Sequence, residues 1–129
     1  MAFAWLSSAF GLCLVAVGLP FWLTPYSQLD LPDALILPGL LAVAPLAAGL
    51  RFLSVSRSAA ISVTLVGAML VANIARITVD TSIDPTTHNL FPFELAITTI
   101  YGAAFAVGGC IVGKLAGALM PGIGGRNGQ

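Results

Sequence analysis

One segment of this chain gathers groups able to do chemistry, and it lies between the third and fourth apolar runs. It holds Asn73, Arg76, Asp80, Thr81, Ser82, Asp84, Thr86, Thr87, His88, Asn89 and Glu94, with the single histidine of the sequence among them. Arg76 and Asp80 stand four residues apart and Asn73 three before Arg76, so on a helix all three share a face. An arginine left facing lipid there costs on the order of 2 kcal/mol or more unless it snorkels or pairs. A half-buried Arg76–Asp80 pair with Asn73 behind it is therefore expected, and Glu94 or Asp84 can supply a second carboxylate. The cluster of Asn73, Arg76, Asp80, Asp84, His88 and Glu94 then has two readings. It pins the outer ends of two helices together, or it forms a polar ligand site at the membrane surface.

Other chemistries fit less well. Asp80, Asp84, His88 and Glu94 are residue types that bind divalent metals. One histidine and no cysteine make a poor zinc set, and Pro85 breaks the helical relation of Asp84 to His88, so no metal site is assigned. His88 could exchange protons near neutral pH, yet no serine or cysteine nucleophile with a recognisable flank accompanies it. No catalytic residue and no cofactor are assigned. The middles of the apolar runs hold neither histidine nor carboxylate, which disfavours haem ligation by paired histidines and a proton relay.

The elements that must carry this cluster follow from composition. Of 129 residues, 58% are hydrophobic and 8% charged, where a soluble domain carries about 25% charged residues. Mean hydropathy is +1.01. Such a chain cannot cover its exterior with polar groups, so hydrocarbon is its solvent over most of the surface. No basic stripe suggests nucleic acid as a partner. Cys13 and Cys110 both fall inside apolar runs, away from any C-x-x-C, and read as small hydrophobes.

Four spans are expected in one domain over residues 1–129: about 2–23, 34–53, 58–79 and 92–119, with a flexible tail over 121–129. The first ends in bulky Leu19-Pro20-Phe21-Trp22 and has no basic residue before it, so it reads as a retained helix, not a cleaved signal. Trp5, Trp22 and Tyr26 fit the two interfacial belts. Pro38 and Pro45 predict a kink in the second span, and Asp33 is a candidate N-cap for it. Asn89 is a candidate cap for the fourth, with Pro92 in its first turn. Gly109, Gly113 and Gly117 recur every four residues on that last span. They form a helix-packing face of the G-x-x-x-G kind, for use inside the bundle or against another chain. The two halves share hydropathy without a residue repeat, so an inverted-repeat transporter has no support here.

Charge sets a direction. Asp30, Asp33, Asp80, Asp84 and Glu94 fall in the first and third links, with Arg76 beside them. Arg51, Arg57, Lys114 and Arg126 fall in the second link or towards the C-terminus. The positive-inside rule places both termini in the cytoplasm and the polar cluster outside. The predicted class is an all-α membrane protein, a four-transmembrane-helix bundle.

The string Asp84-Pro85-Thr86-Thr87-His88-Asn89-Leu90-Phe91-Pro92-Phe93-Glu94, after an arginine-bearing span and before an apolar one, resembles a loop of small uncharacterised bacterial membrane proteins with four spans. The resemblance covers about residues 73–105. It implies a multi-pass protein of the inner membrane and transfers no role to any residue.

Small size and the glycine face favour a membrane subunit or scaffold whose partners are the bilayer and other membrane chains, or a second copy through span four. The alternative is a small oligomeric transporter or channel with its polar site at the outer end of spans three and four. A membrane enzyme working on a lipid- or quinone-like substrate at the outer loop stands behind both.

Overall fold

The computed structural model describes residues 1–122, all helix and connecting loop with no strand among them. Four helices are each long and apolar enough to cross a bilayer: α1 (Ala2–Leu23), α2 (Asp33–Phe52), α3 (Ser58–Ile83) and α4 (Phe91–Leu119). At 1.5 Å per residue the 29 residues of α4 reach about 44 Å, so its ends project beyond a hydrocarbon core about 30 Å thick. Large apolar side chains stand exposed along every helix, as hydrocarbon solvent requires. These features describe a multi-pass membrane protein.

Cross-helix contacts give the arrangement. Cys13 Sγ meets the Leu65 carbonyl and Trp22 Nε1 donates to the Ala72 carbonyl, so α1 and α3 run parallel. Gly109 lies on Ala44 and Gly113 on Ala48, so α2 and α4 also run parallel. Asn73 pairs with Thr98 while Cys110 meets Ser58, which makes α3 and α4 antiparallel. The bundle is thus up–down. α3 packs on α1 and α4, α4 packs on α2, and α1 touches α2 only lightly. A groove of about 420 Å³ remains between α1 and α2, lined by Pro20, Thr24, Asp33, Leu37 and Leu41 among others. The core between the helices holds Cys13, Val17, Leu35, Val43, Ile61, Leu65, Met69 and Ala106.

At the prolines of α2 the structure shows a change of helical register. After Pro38 the helix widens into a π segment over Gly39–Val43, with the Ala44 N–H bonded to the Gly39 carbonyl five residues back. Pro45 then opens the final α segment. The wider register accommodates a ring that brings no N–H and crowds the turn before it. Gly39 leaves room for the Phe105 ring of α4, which occupies the place of a side chain there.

Several boundaries differ from the sequence expectation. α3 runs to Ile83 rather than to about 79, because Thr78, Thr81 and Ser82 bond back to carbonyls within the helix and keep it wound. Asp33 is the first helical residue of α2, and Pro32 occupies the N-cap. Leu90, not Asn89, precedes α4, with no side-chain cap. Of the tail, Pro121 and Gly122 form a turn; residues 123–129, Arg126 included, lie outside the described residues.

The glycine face is consumed within the chain at two of its three positions. A Cβ on Gly109 would meet the Ala44 carbonyl and come within 2.8 Å of the Ala47 Cβ; on Gly113 it would meet the Ala48 carbonyl. Gly117 only grazes Phe52, at 4.0 Å. Gly108, one residue from the face, looks into open space. Gly109→Ala should therefore destabilise by about 1–3 kcal/mol through overpacking. Gly108→Ala should be neutral or stabilising by up to about 1 kcal/mol, from helix propensity. Thermal unfolding of both variants in one detergent checks the pair, and equal melting points would contradict the packing.

Candidate functional site

The polar cluster forms one connected unit at the acidic end of the bundle. It begins at Arg76, on the last third of α3 and buried. Its Nε donates to Asp80 Oδ2 at 2.8 Å, one turn further along the same face. Its Nη1 donates to the Phe21 carbonyl in the last turn of α1, and the guanidinium stands 5.5 Å from the Phe21 ring centroid. Sequence explains why that carbonyl is available. Its helical partner would be the N–H four residues on, and residue 25 is proline. Arg76 thereby fills an orphaned acceptor at a helix C-terminus, where positive charge is also favoured by the helix dipole.

His88 closes the unit. It sits in the α3–α4 loop with its side chain wholly buried. Nε2 lies 2.9 Å from Asp80 Oδ2, and Nδ1 lies 2.7 Å and 2.9 Å from the two oxygens of Glu94. Each ring nitrogen thus faces a carboxyl group, and the imidazole bridges Asp80 on α3 to Glu94 on α4. The chain Arg76–Asp80–His88–Glu94 sets a basic side chain beside an acidic one at every step, an economical order for groups withdrawn from water. The backbone conforms to this demand. His88 has φ 54°, the left-handed region that histidine enters more readily than most residues. Its N–H reaches the Tyr26 hydroxyl at 3.2 Å, and the Tyr26 ring leans on the imidazole with centroids 4.6 Å apart.

Behind the charges lies a neutral layer. Asn73 Nδ2 donates to Thr98 Oγ1 at 2.7 Å and to the Glu94 carbonyl at 3.4 Å, and Thr98 Oγ1 donates to the same carbonyl. Asn73 Oδ1 is buried without a partner. Thus the structure joins Asn73, Arg76, Asp80, His88 and Glu94 and leaves Asp84 apart. Asp84 is exposed at the end of α3, where its Oδ1 accepts from the Thr86 hydroxyl at 2.7 Å and the Thr86 N–H at 2.9 Å. Those bonds, the hydroxyl first, hold the Asp84 carboxyl below its ordinary range. Thr87 N–H closes the turn on the Asp84 carbonyl, in keeping with an Asp-Pro turn start.

Sequence reasoning missed Phe21, Tyr26 and Thr98. Thr98 was within reach, since it stands four residues after Glu94 on the same helical face. The Phe21 carbonyl was signalled by Pro25. Tyr26 gave no signal distinguishing a histidine partner from an interfacial anchor.

The acidic and basic groups of the unit are closed on one another. Carboxyl oxygens face Arg76 and His88, both ring nitrogens of His88 face carboxyl groups, and among the described residues no group of three or more metal-ligating side chains is arranged around a common point. Its immediate effect is mechanical: it ties α1, α3, α4 and the intervening loop together. Asp80→Ala removes the shared acceptor of Arg76 and His88, and should cost about 3 kcal/mol. A double-mutant cycle with His88→Ala should return a coupling above about 1 kcal/mol. Additive effects in thermal unfolding would show that the bridge is not formed.

No family model, curated protein or solved structure matches this chain.

Proposed function

We propose that this protein is a non-catalytic membrane subunit, one that packs its helices against partner chains in a larger assembly. The supporting observation is that the acidic and basic side chains of its polar unit pair with one another, while an outward helix surface is shaped for close approach. That surface is the groove of about 430 Å³ between α2 and α4, lined by Leu40, Ala44, Ala48, Ala104, Phe105 and Gly108 among others. Ala104 and Gly108 lie one turn apart and both face outward. Small residues at that spacing let a second helix approach to backbone contact, the main source of helix association in lipid. The surface borders the contact of Gly109 and Gly113 with α2, and Gly109 itself lies at its edge.

The positive-inside rule favours a basic end in the cytoplasm and the Arg76 unit on the outer side; in a bacterial cell the membrane would be the inner one. A transporter or channel would need an accessible charge at its mouth. Arg76, the obvious candidate for an anion, is buried and engaged by Asp80 and the Phe21 carbonyl, which weighs towards the subunit reading.

Extraction from native membranes in mild detergent, followed by light scattering, tests this. The wild type should elute in a stoichiometric complex with a different chain. Gly108→Leu should elute alone while keeping the wild-type melting temperature. A wild-type protein that elutes as a monomer, or a complex indifferent to Gly108→Leu, would reject the proposal.

A further inference from the structure

At the basic end of the bundle, which the polar unit does not touch, the cations have no carboxylate side chain beside them among the described residues. All five acids of the sequence lie at the other end. Among the described residues, Arg51, Arg57 and Lys114 form no ion pair. Between α3 and α4 this end opens into a groove of about 420 Å³. Ser58 and Lys114 stand at its mouth, and Ser62, Val63, Val107 and Ile111 line its length. The helices meet along its floor, where Cys110 Sγ lies 3.9 Å from the Ser58 carbonyl.

Two unmet polar demands face the same region. α3 starts after Arg57 with no side-chain cap, so its first N–H groups have no side-chain acceptor. Ser62 Oγ is buried and has no partner. It is an exception, because the hydroxyls of Thr64, Thr78, Thr81, Thr98 and Thr99 all bond the carbonyl one turn back. A groove that is cationic and donor-rich at its mouth and hydrocarbon along its length matches a molecule with an anionic head and an apolar tail.

We propose that this groove binds one acidic phospholipid. The phosphate sits between Arg57 and Lys114 against the start of α3, and an acyl chain lies along Val63, Val107 and Ile111. Charge complementarity favours an acidic lipid over a zwitterionic one, and the apolar length favours a lipid over free phosphate. The site stands independently of any partner chain in the groove beside Gly108.

The test uses the full chain in a non-ionic detergent, offered phosphatidylglycerol, phosphatidylcholine or inorganic phosphate. Bound lipid is read by native mass spectrometry and stability by thermal unfolding. Phosphatidylglycerol should be retained one per chain in preference to phosphatidylcholine and should raise the melting temperature, while inorganic phosphate should not. Lys114→Ala should lower its retention about fivefold, as loss of one cation near a headgroup implies, and Lys114→Arg should restore it. Val107→Trp fills the groove without altering charge and should lower retention as well. Equal retention of the two lipids, or unchanged retention in Lys114→Ala, would overturn the proposal. Loss on charge removal with none in Val107→Trp would overturn the groove and leave only surface attraction. Displacement of the lipid by inorganic phosphate would assign the site to a free anion.

Discussion

The alternation Arg76–Asp80–His88–Glu94 is the constraint around which the acidic end of the molecule is organised. Each of these groups alone would be costly in a medium that cannot solvate charge. Together they set base beside acid at every step, and each carboxyl group meets Arg76 or His88 at 2.7–2.9 Å. The cost of breaking such a chain exceeds its net worth, since removal of one member leaves its neighbours buried and unpaired. Its structural reach also exceeds its size. Arg76 extends it to the end of α1, His88 draws the loop inward, and Glu94 fixes the first turn of α4. A left-handed backbone at His88 is tolerated because the side chain can reach both carboxylates from there.

The remainder of the bundle is held by a different force. In hydrocarbon there is little gain from burying apolar area, so helices associate through close packing and dispersion. α2 and α4 achieve this by deleting side chains at the contact, with Gly109 and Gly113 on the backbone of Ala44 and Ala48. The prolines of α2 are compatible with this contact because the π segment absorbs their missing bonds. One end of the molecule is therefore clasped by charge, and α2 and α4 are sealed by backbone proximity.

How much of this was legible in the residues depends on the range of the interaction. Helix number and position follow from unbroken apolar runs, and the Arg76–Asp80 pair from an i, i+4 spacing on one helix, both local signals. The choice of Glu94 over Asp84 as the second carboxylate was not local. Thr86 captures Asp84 two residues away, whereas the fold of the loop carries His88 to Glu94. The glycine spacing announced a close contact and could not name the partner, because G-x-x-x-G reads alike for a helix of the same chain or another. The extension of α3 to Ile83 was obscured by its threonines and serine, which read as loop residues until their hydroxyls are seen bonded to the helix's own carbonyls.

The two ends of the bundle also differ in how their charge acts on the surroundings. At the acidic end Arg76 and His88 meet Asp80 and Glu94 at hydrogen-bond distance, and a compact set of internally paired groups projects little field beyond itself. Asp30, Asp33 and Asp84 remain there to face water. At the basic end Arg57 and Lys114 are exposed with no acid nearby among the described residues, so their field is directed outward and decays only over the screening length, about 8 Å at physiological salt. The charge asymmetry of the sequence therefore persists in the folded protein as cations exposed at one end of the bundle. An internally paired clasp at one end and exposed cations at the other make the first a device of internal cohesion. The second is the end at which electrostatics can act on something outside the chain.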